Sequence, residues 1–158
     1  MEFKDSDEVW DDLDQAILRG LGNGLSPTLV EHALRPRNAG TLDDPHGEAT
    51  LSGICEDTVR IQLRLIHDRI DEIAFMTDGC AATSACGSMV TELARGKTVQ
   101  EAMKIDGKQV IQAFGGLPIE HTHCADLAAN TLRAALRDAL QYQREPWKRL
   151  YRPKGDGR

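Results

Sequence analysis

The sequence predicts an α+β domain in which a small three-stranded antiparallel sheet carries helices on one face and a long helix ends the fold. Two observations support this. Apolar and polar residues alternate along 58–65 and, less strictly, along 70–77, which is the pattern of strands with one face on a core. Outside this region the apolar residues recur at helical spacing, and the longest such stretch runs from about Ala125 to Gln143.

The two alternating stretches form a predicted hairpin. Val59, Ile61, Leu63 and Leu65 share one face, and His67-Asp68-Arg69 lies between the strands. Residues 48–53 supply a third strand, which a stable sheet of this kind needs. Residues 36–47 are rich in Pro, Asn, Asp and Gly and are predicted to be a loop.

Further helices are predicted on either side of the sheet. Ser26-Pro27 is a capping residue followed by proline, and the helix that it opens ends before Pro36. Thr98 caps a short helix, with Glu101 at the capping-box position. The predicted helices span 8–20, 27 to about 35, 82 to about 95, 98–103, 106–113 and 125–143.

A length of 158 residues fits a single domain with short extensions. Residues 1–24 are predicted to form an acidic N-terminal helix and a glycine-rich linker. Residues 25–143 form the central domain, and 144–158 form a basic C-terminal tail.

Composition excludes several classes of function. The net charge of −6 argues against broad nucleic-acid binding, because neutralising phosphates requires a basic surface. No apolar run approaches the length of a membrane span, and the N-terminal residues lack the apolar stretch of a secretory signal. We therefore predict a cytoplasmic protein without a membrane partner, whose cysteines stay reduced.

Three of the four cysteines lie beside groups that bind metals. Cys55 and Asp57 are one residue apart, so they share a face if the segment is extended. Cys80 precedes a predicted helix, whose N-terminus favours a thiolate. His123-Cys124 precedes the last predicted helix. Thiolates with a carboxylate and an imidazole nearby can hold zinc or an iron–sulfur cluster.

The remaining candidates have plainer explanations. Cys86 lies on the apolar stripe of its helix and is predicted to be a buried small residue. The chain has no CxxC pair, which argues against a closed structural zinc site and against a thiol-exchange enzyme. Four histidines lack ligand spacing and are predicted to be surface or capping residues: His32, His46, His67 and His121.

Taken together, the motifs resemble those of the iron–sulfur cluster assembly scaffolds of the IscU type, the family of the NifU N-terminal domain. The resemblance covers about Leu29 to Leu140. It rests on these motifs in this order: His32-x-x-x-Pro36-Arg37-Asn38-x-Gly40, Cys55-x-Asp57, Phe75-x-Thr77-x-Gly79-Cys80, Thr91-Glu92-x-x-x-Gly96-Lys97, Leu117-Pro118 and His123-Cys124.

The resemblance implies a role for each matching residue. Cys55, Cys80 and Cys124 would bind a [2Fe–2S] cluster, and Asp57 would make the cluster labile. His123 would be a further ligand, and Cys124 would accept persulfide sulfur from a cysteine desulfurase. The protein would be a non-enzymatic scaffold that uses iron, delivers clusters to apoprotein acceptors and holds zinc when no cluster is present.

This chain departs from the family pattern at three places near the site. One is Cys86, where many relatives carry a small hydroxyl residue; it would be either a fourth thiol near the cluster or a core residue. Glu56 replaces the glycine of the usual Cys-Gly-Asp, which adds a negative charge and a side chain that opposes positive φ. The segment that an Hsp70-type chaperone recognises is Leu-Pro-Pro-Val-Lys in the family. Here it reads Leu117-Pro118-Ile119-Glu120-His121, so this partner is implied only if the altered segment is still recognised.

The alternative function is a zinc-binding domain with a structural or sulfur-acceptor role. Zinc takes the same thiolates, with Asp57 or His123 completing a tetrahedral site. A zinc ion that iron and sulfide cannot displace would distinguish this alternative from a cluster scaffold.

Overall fold

A computed structural model describes residues 6–21, 25–54 and 56–147 of the chain. The strands are β1 (Gly47–Ser52), β2 (Thr58–Ile66) and β3 (Arg69–Thr77). The helices are α1 (Ser6–Leu21), α2 (Pro27–Leu34), α3 (Ala81–Ala94), α4 (Val99–Ala102), α5 (Gly107–Phe114) and α6 (Thr122–Arg144), with a 3₁₀ turn at Ile119–His121 before α6.

The three strands form one antiparallel sheet in the order β1-β2-β3, which confirms the predicted α+β class. His67 and Asp68 connect β2 to β3 with φ of 48° and 65°. Positive φ at both central residues is the mark of a type I′ turn, whose twist matches that of the strands it joins. Both strands of this hairpin lie within a residue of their predicted bounds.

The two faces of β2 differ in the way that its alternation predicts. Val59, Ile61 and Leu63 are fully buried against the helices. On the opposite face, Arg60 donates to Glu48 Oε2 at 3.0 Å, and the Gln62 amide donates to the same oxygen at 2.9 Å. The polar face is therefore held by side-chain hydrogen bonds between β1 and β2.

Helix α6 packs closely on β1 at Gly47. A side chain there would come within 2.7 Å of the backbone nitrogen of Ala139, because the helix and the strand nearly touch. Ala135, Leu136 and Ala139 are all fully buried along this face of α6. The contact fixes the axis of α6, and with it the position of the residues that begin the helix.

Helix α6 begins at Thr122, so the predicted start at Ala125 was three residues too late. The chain turns after Pro118, and the Thr122 hydroxyl donates to the carbonyl of Ile119 at 3.0 Å within the 3₁₀ turn. His123 and Cys124 therefore lie in the first turn of the helix rather than before it.

Some predicted segments fall outside the described residues, among them 1–5, 22–24 of the linker, Cys55 and 148–158 of the basic tail. The acidic N-terminal segment forms α1, which contacts α2 and α3. None of the described helices combines the length and the apolar character that crossing a bilayer requires.

His32 joins α2 to α3 and is buried, so its prediction as a surface or capping residue was wrong. Its Nδ1 lies 2.7 Å from the Ser88 hydroxyl, and Ser88 accepts the Arg37 backbone N–H at 2.8 Å. A hydroxyl has one proton and two lone pairs, so Ser88 accepts from Arg37 and bonds a neutral His32 in either tautomer of the imidazole. Burial, and secondly the charge of Arg37, lower the pKa of His32.

We expect this histidine to make the fold less stable in acid. A histidine whose folded-state pKa lies below its unfolded value of 6.5 binds more protons when the chain unfolds. Its contribution to the free energy of unfolding is fully present above pH 6.5. That contribution is lost as the pH falls from 6.5 toward the folded-state pKa, by up to about 1.4 kcal/mol per pH unit. Urea unfolding of wild type and His32→Gln at pH 7.5 and 5.5 measures the difference.

The matched control is His67→Gln, which changes an exposed histidine in the hairpin turn. The control should keep the wild-type loss of unfolding free energy between the two pH values, while His32→Gln should reduce it. An equal loss in all three proteins would show that His32 does not titrate with unfolding.

Candidate metal centre

The loop between β1 and β2 brings Asp57 next to the start of α6. The Gly53 N–H donates to the Asp57 carbonyl at 2.8 Å, and the Glu56 N–H donates to the Gly53 carbonyl at 3.1 Å. A side chain at Gly53 would lie 3.0 Å from Leu127 Cδ2 on α6, so the loop rests on that helix. Asp57 itself is half-buried.

Glu56 adopts a left-handed backbone conformation, which a glycine would adopt without strain. Its φ is +62°, in the left-handed region, which costs an L-residue about 1–2 kcal/mol. The side chain is exposed, so its charge points to solvent at the edge of the site. Glu56 therefore adds backbone strain and a negative charge at this position of the loop.

The connection from β3 to α3 is tied to the start of β2. The Asp78 carboxylate accepts the Thr58 N–H at 2.8 Å, and the Thr77 hydroxyl donates to the Thr58 carbonyl at 2.8 Å. The Gly79 N–H then donates to Thr77 Oγ1 at 3.0 Å. Because Thr58 follows Asp57, these bonds fix the segment before Cys80 relative to the carboxylate.

Cys80 and Cys86 have different environments on α3. Cys80 is the N-cap residue, and it is exposed. Cys86 is fully buried, as its place on the apolar stripe predicts. Burial raises the pKa of the Cys86 thiol well above its usual range, and the neighbouring Cys124 and Cys80 act in the same direction. Cys86 is therefore a protonated core residue.

The first turn of α6 supplies a second thiol and two imidazoles. Cys124 is 1% exposed, so its sulfur lies below the surface. His123 Nε2 lies 3.6 Å from Cys124 Sγ. His121 caps the helix without a side-chain capping bond.

Among the described residues, one group of potential ligands is close enough to share a metal ion: Cys80, His121 and Cys124. Their ligand atoms all lie within 4.8 Å of one another. Two thiolates and an imidazole are donors that zinc and iron accept. His121 is the N-cap residue of α6, as its predicted capping role requires, and it also lies within reach of the two thiols.

A buried hydroxyl connects this group to the carboxylate. Thr83 Oγ1 donates to Asp57 Oδ2 at 2.7 Å, and it lies 3.4 Å from Cys124 Sγ and 3.6 Å from Cys80 Sγ. Gly79 makes room for it, because a side chain at that glycine would come within 2.8 Å of Thr83 Cβ.

The structure thus brings together four of the five site residues predicted from sequence: Asp57, Cys80, His123 and Cys124. The fifth, Cys55, lies outside the described residues. Sequence reasoning missed His121 and Thr83. Thr83 lies three residues after Cys80, a separation at which helical side chains share a face, so this spacing was the available signal for Thr83. His121 lies three residues before Cys124 but outside the helix, so helical spacing gave no signal for it.

A shallow groove lies beside His123. It has a volume of about 310 Å³ and runs between the β1–β2 loop and α6, where Ile54, His123 and Asn130 line it. Ile54 is 88% exposed, and Ile119 at the other end of the site is 85% exposed. Two large apolar side chains therefore face solvent near the candidate ligands.

Fold and site together define a small α+β domain with a partly buried candidate metal centre of thiols, imidazoles and one hydrogen-bonded carboxylate. The sequence profile of the NifU-like N terminal domain matches residues 26–146. The chain belongs to this family.

Related proteins agree with that assignment. The iron-sulfur cluster assembly scaffold protein IscU 1 of Archaeoglobus fulgidus is 43% identical over 114 residues, which are 72% of this chain and 74% of that protein. The scaffold protein IscU of Aquifex aeolicus is 34% identical over 118 residues, 73% of this chain and 75% of that protein.

The fold is also found in a crystal structure of the N-terminal part of a NifU-like protein from Brucella abortus. That structure superposes with a TM-score of 0.58 and covers 79% of this chain and 98% of its own, at 17% sequence identity. This likeness supports the α+β fold.

Proposed function

We propose that the protein is a scaffold on which iron–sulfur clusters are assembled and from which they pass to apoproteins. The observation that carries the proposal is the group of Cys80, His121 and Cys124, whose ligand atoms lie within 4.8 Å of one another. The named relatives at 34–43% identity support it. The protein acts as a carrier rather than as an enzyme.

The cargo is a [2Fe–2S] cluster held by Cys55, Cys80 and Cys124. Thiolates are the usual ligands of such clusters. Asp57 is the exchangeable ligand, since carboxylate oxygen binds iron of a cluster less firmly than thiolate sulfur does. His123, whose Nε2 contacts Cys124 Sγ, is a further ligand.

Sulfur reaches the site as a persulfide on Cys124, given by a cysteine desulfurase. Cys124 is 1% exposed, so its sulfur becomes accessible when the partner displaces the 3₁₀ turn at Ile119–His121. The exposed side chains of Ile54 and Ile119 provide apolar contacts for that partner. An Hsp70-type chaperone would have to recognise the same segment, Leu117–His121.

Zinc occupies the site when iron and sulfide are absent. Cys80, His121 and Cys124 provide three of the four donors of a tetrahedral zinc ion. The reducing cytoplasm is the compartment in which these thiols stay available.

Cluster transfer tests the proposed function. Protein reconstituted anaerobically with iron and sulfide should pass its cluster to an apo-ferredoxin, whose own absorption and activity then appear. Asp57→Ala should slow the transfer by at least about fivefold, because the cluster loses its exchangeable ligand. Stopped-flow absorption measures the rate.

Asp71→Ala, an exposed carboxylate on β3, is the control and should transfer at the wild-type rate. Transfer from Asp57→Ala as fast as from wild type would remove Asp57 from this role. Failure of the wild-type protein to load any ferredoxin would refute the carrier function itself.

A further inference from the structure

Thr83 lies where the three segments of the site meet: the β1–β2 loop with Asp57, the start of α3 with Cys80, and the start of α6 with Cys124. It is fully buried, in the first turn of α3 after Cys80. Its hydroxyl oxygen is 2.7 Å from Asp57 Oδ2, 3.4 Å from Cys124 Sγ and 3.6 Å from Cys80 Sγ. One hydroxyl group therefore contacts the carboxylate and both described thiols of the metal centre.

The hydroxyl has only one proton to share among these neighbours. An ionised carboxylate can only accept, so the short contact to Asp57 uses the proton of Thr83. A sulfur that binds metal carries no proton and can only accept, so the two thiols compete with Asp57 for the Thr83 proton. The contact to Asp57, at 2.7 Å, is much shorter than those to Cys124 and Cys80, at 3.4 and 3.6 Å, so the proton goes to the carboxylate.

We propose that Thr83 is a positioning residue that holds the Asp57 carboxylate toward a metal ion bound by Cys80 and Cys124. Asp57 is half-buried at the end of a loop whose neighbouring residues, Ile54 and Glu56, are exposed. Without the bond from Thr83, its carboxylate is free to turn to water. The consequence for cluster release rests on the proposed function, whereas the effect on metal binding does not.

The plainer explanation is that Thr83 only fills buried space, and it makes a different prediction. Valine has nearly the same shape as threonine and lacks the hydroxyl, so Thr83→Val would preserve packing and leave metal binding unchanged if only the shape mattered. Thr83→Ser keeps the hydroxyl and loses a methyl group. The two variants therefore separate the hydrogen bond from the packing.

Cobalt(II) binding to the cluster-free protein tests the proposal. Affinity is measured from the d–d and thiolate charge-transfer bands in wild type, Thr83→Val, Thr83→Ser, Asp57→Ala and the double variant Thr83→Val/Asp57→Ala. Thr83→Val should weaken binding at least about tenfold, the factor expected for one hydrogen bond to a charged group. Thr83→Ser should stay within about twofold of wild type.

The double variant decides whether Thr83 acts through Asp57. In the Asp57→Ala background, Thr83→Val should change cobalt affinity by less than about twofold, because the group that it positions is gone. An equal loss in both backgrounds, or no loss in either, would overturn the proposal. Thermal unfolding of each variant shows whether the fold is intact, and Thr83→Ala removes the same hydroxyl should the valine variant fold poorly.

Cluster transfer on the same variants separates this inference from the proposed function. Thr83→Val should slow transfer in the same direction as Asp57→Ala, and the double variant should be no slower than Asp57→Ala alone. If wild type assembles no cluster, the proposed function fails while the cobalt result still decides the role of Thr83.

Discussion

Cys80→Ala and Cys124→Ala are each expected to abolish cluster assembly from iron and sulfide. Both sulfurs belong to the group of ligand atoms that lie within 4.8 Å of one another, and each comes from a different helix. Among the thiols that the structure describes, none is then left to replace it, since Cys86 is buried in the core with a raised thiol pKa. The measurement is visible charge-transfer absorption after anaerobic reconstitution.

Cys86→Ala is the matched control. It removes a third thiol from the same helix as Cys80 and should retain the cluster, at a modest cost in stability for the lost core atom. Cys55→Ala should behave like the Cys80 and Cys124 variants, because it is the third proposed cluster ligand. Reconstitution of Cys80→Ala or Cys124→Ala to wild-type absorption would show that the cluster is not held there.

His121→Gln is expected to weaken zinc binding to the cluster-free protein by at least about tenfold. Its imidazole lies with the Cys80 and Cys124 sulfurs in the three-residue group, so the variant loses one of three donors. Competition with a chromogenic chelator measures the dissociation constant. The effect of His123→Gln should be smaller, since His123 contacts the Cys124 sulfur but is not part of that group.

His67→Gln changes an exposed imidazole in the distant hairpin turn and should bind zinc as wild type does. Zinc affinity of His121→Gln equal to that of the control would exclude His121 as a ligand. In that event the imidazole serves only as a helix-capping neighbour of the thiols.

The strands and most helices could be predicted because local chemistry determines them. Ser26, Thr98 and Asp106 accept the backbone N–H groups that their positions predict, and the alternation of β2 matches its buried face. The start of α6 was placed too late because a 3₁₀ turn leads into it. Pro118 and the hydrogen bond from the Thr122 hydroxyl to the Ile119 carbonyl form this turn, and the spacing of apolar residues does not reveal it.

The site could be predicted only where a motif marks it. Asp57, Cys80 and His123-Cys124 have recognisable neighbours in the sequence. His121 and His32 do not, because their environments are set by tertiary packing. His121 is brought to Cys80 by the path of α6 over β1, and His32 is buried by its contact with Ser88 on α3.

The most direct test of the scaffold proposal is the metal content and visible spectrum of the wild-type protein after anaerobic incubation with iron and sulfide. A cluster scaffold should bind iron and sulfide in equal amounts, show charge-transfer absorption, and lose any zinc that it carried. A protein that keeps its zinc, binds no sulfide and stays colourless would contradict the proposal.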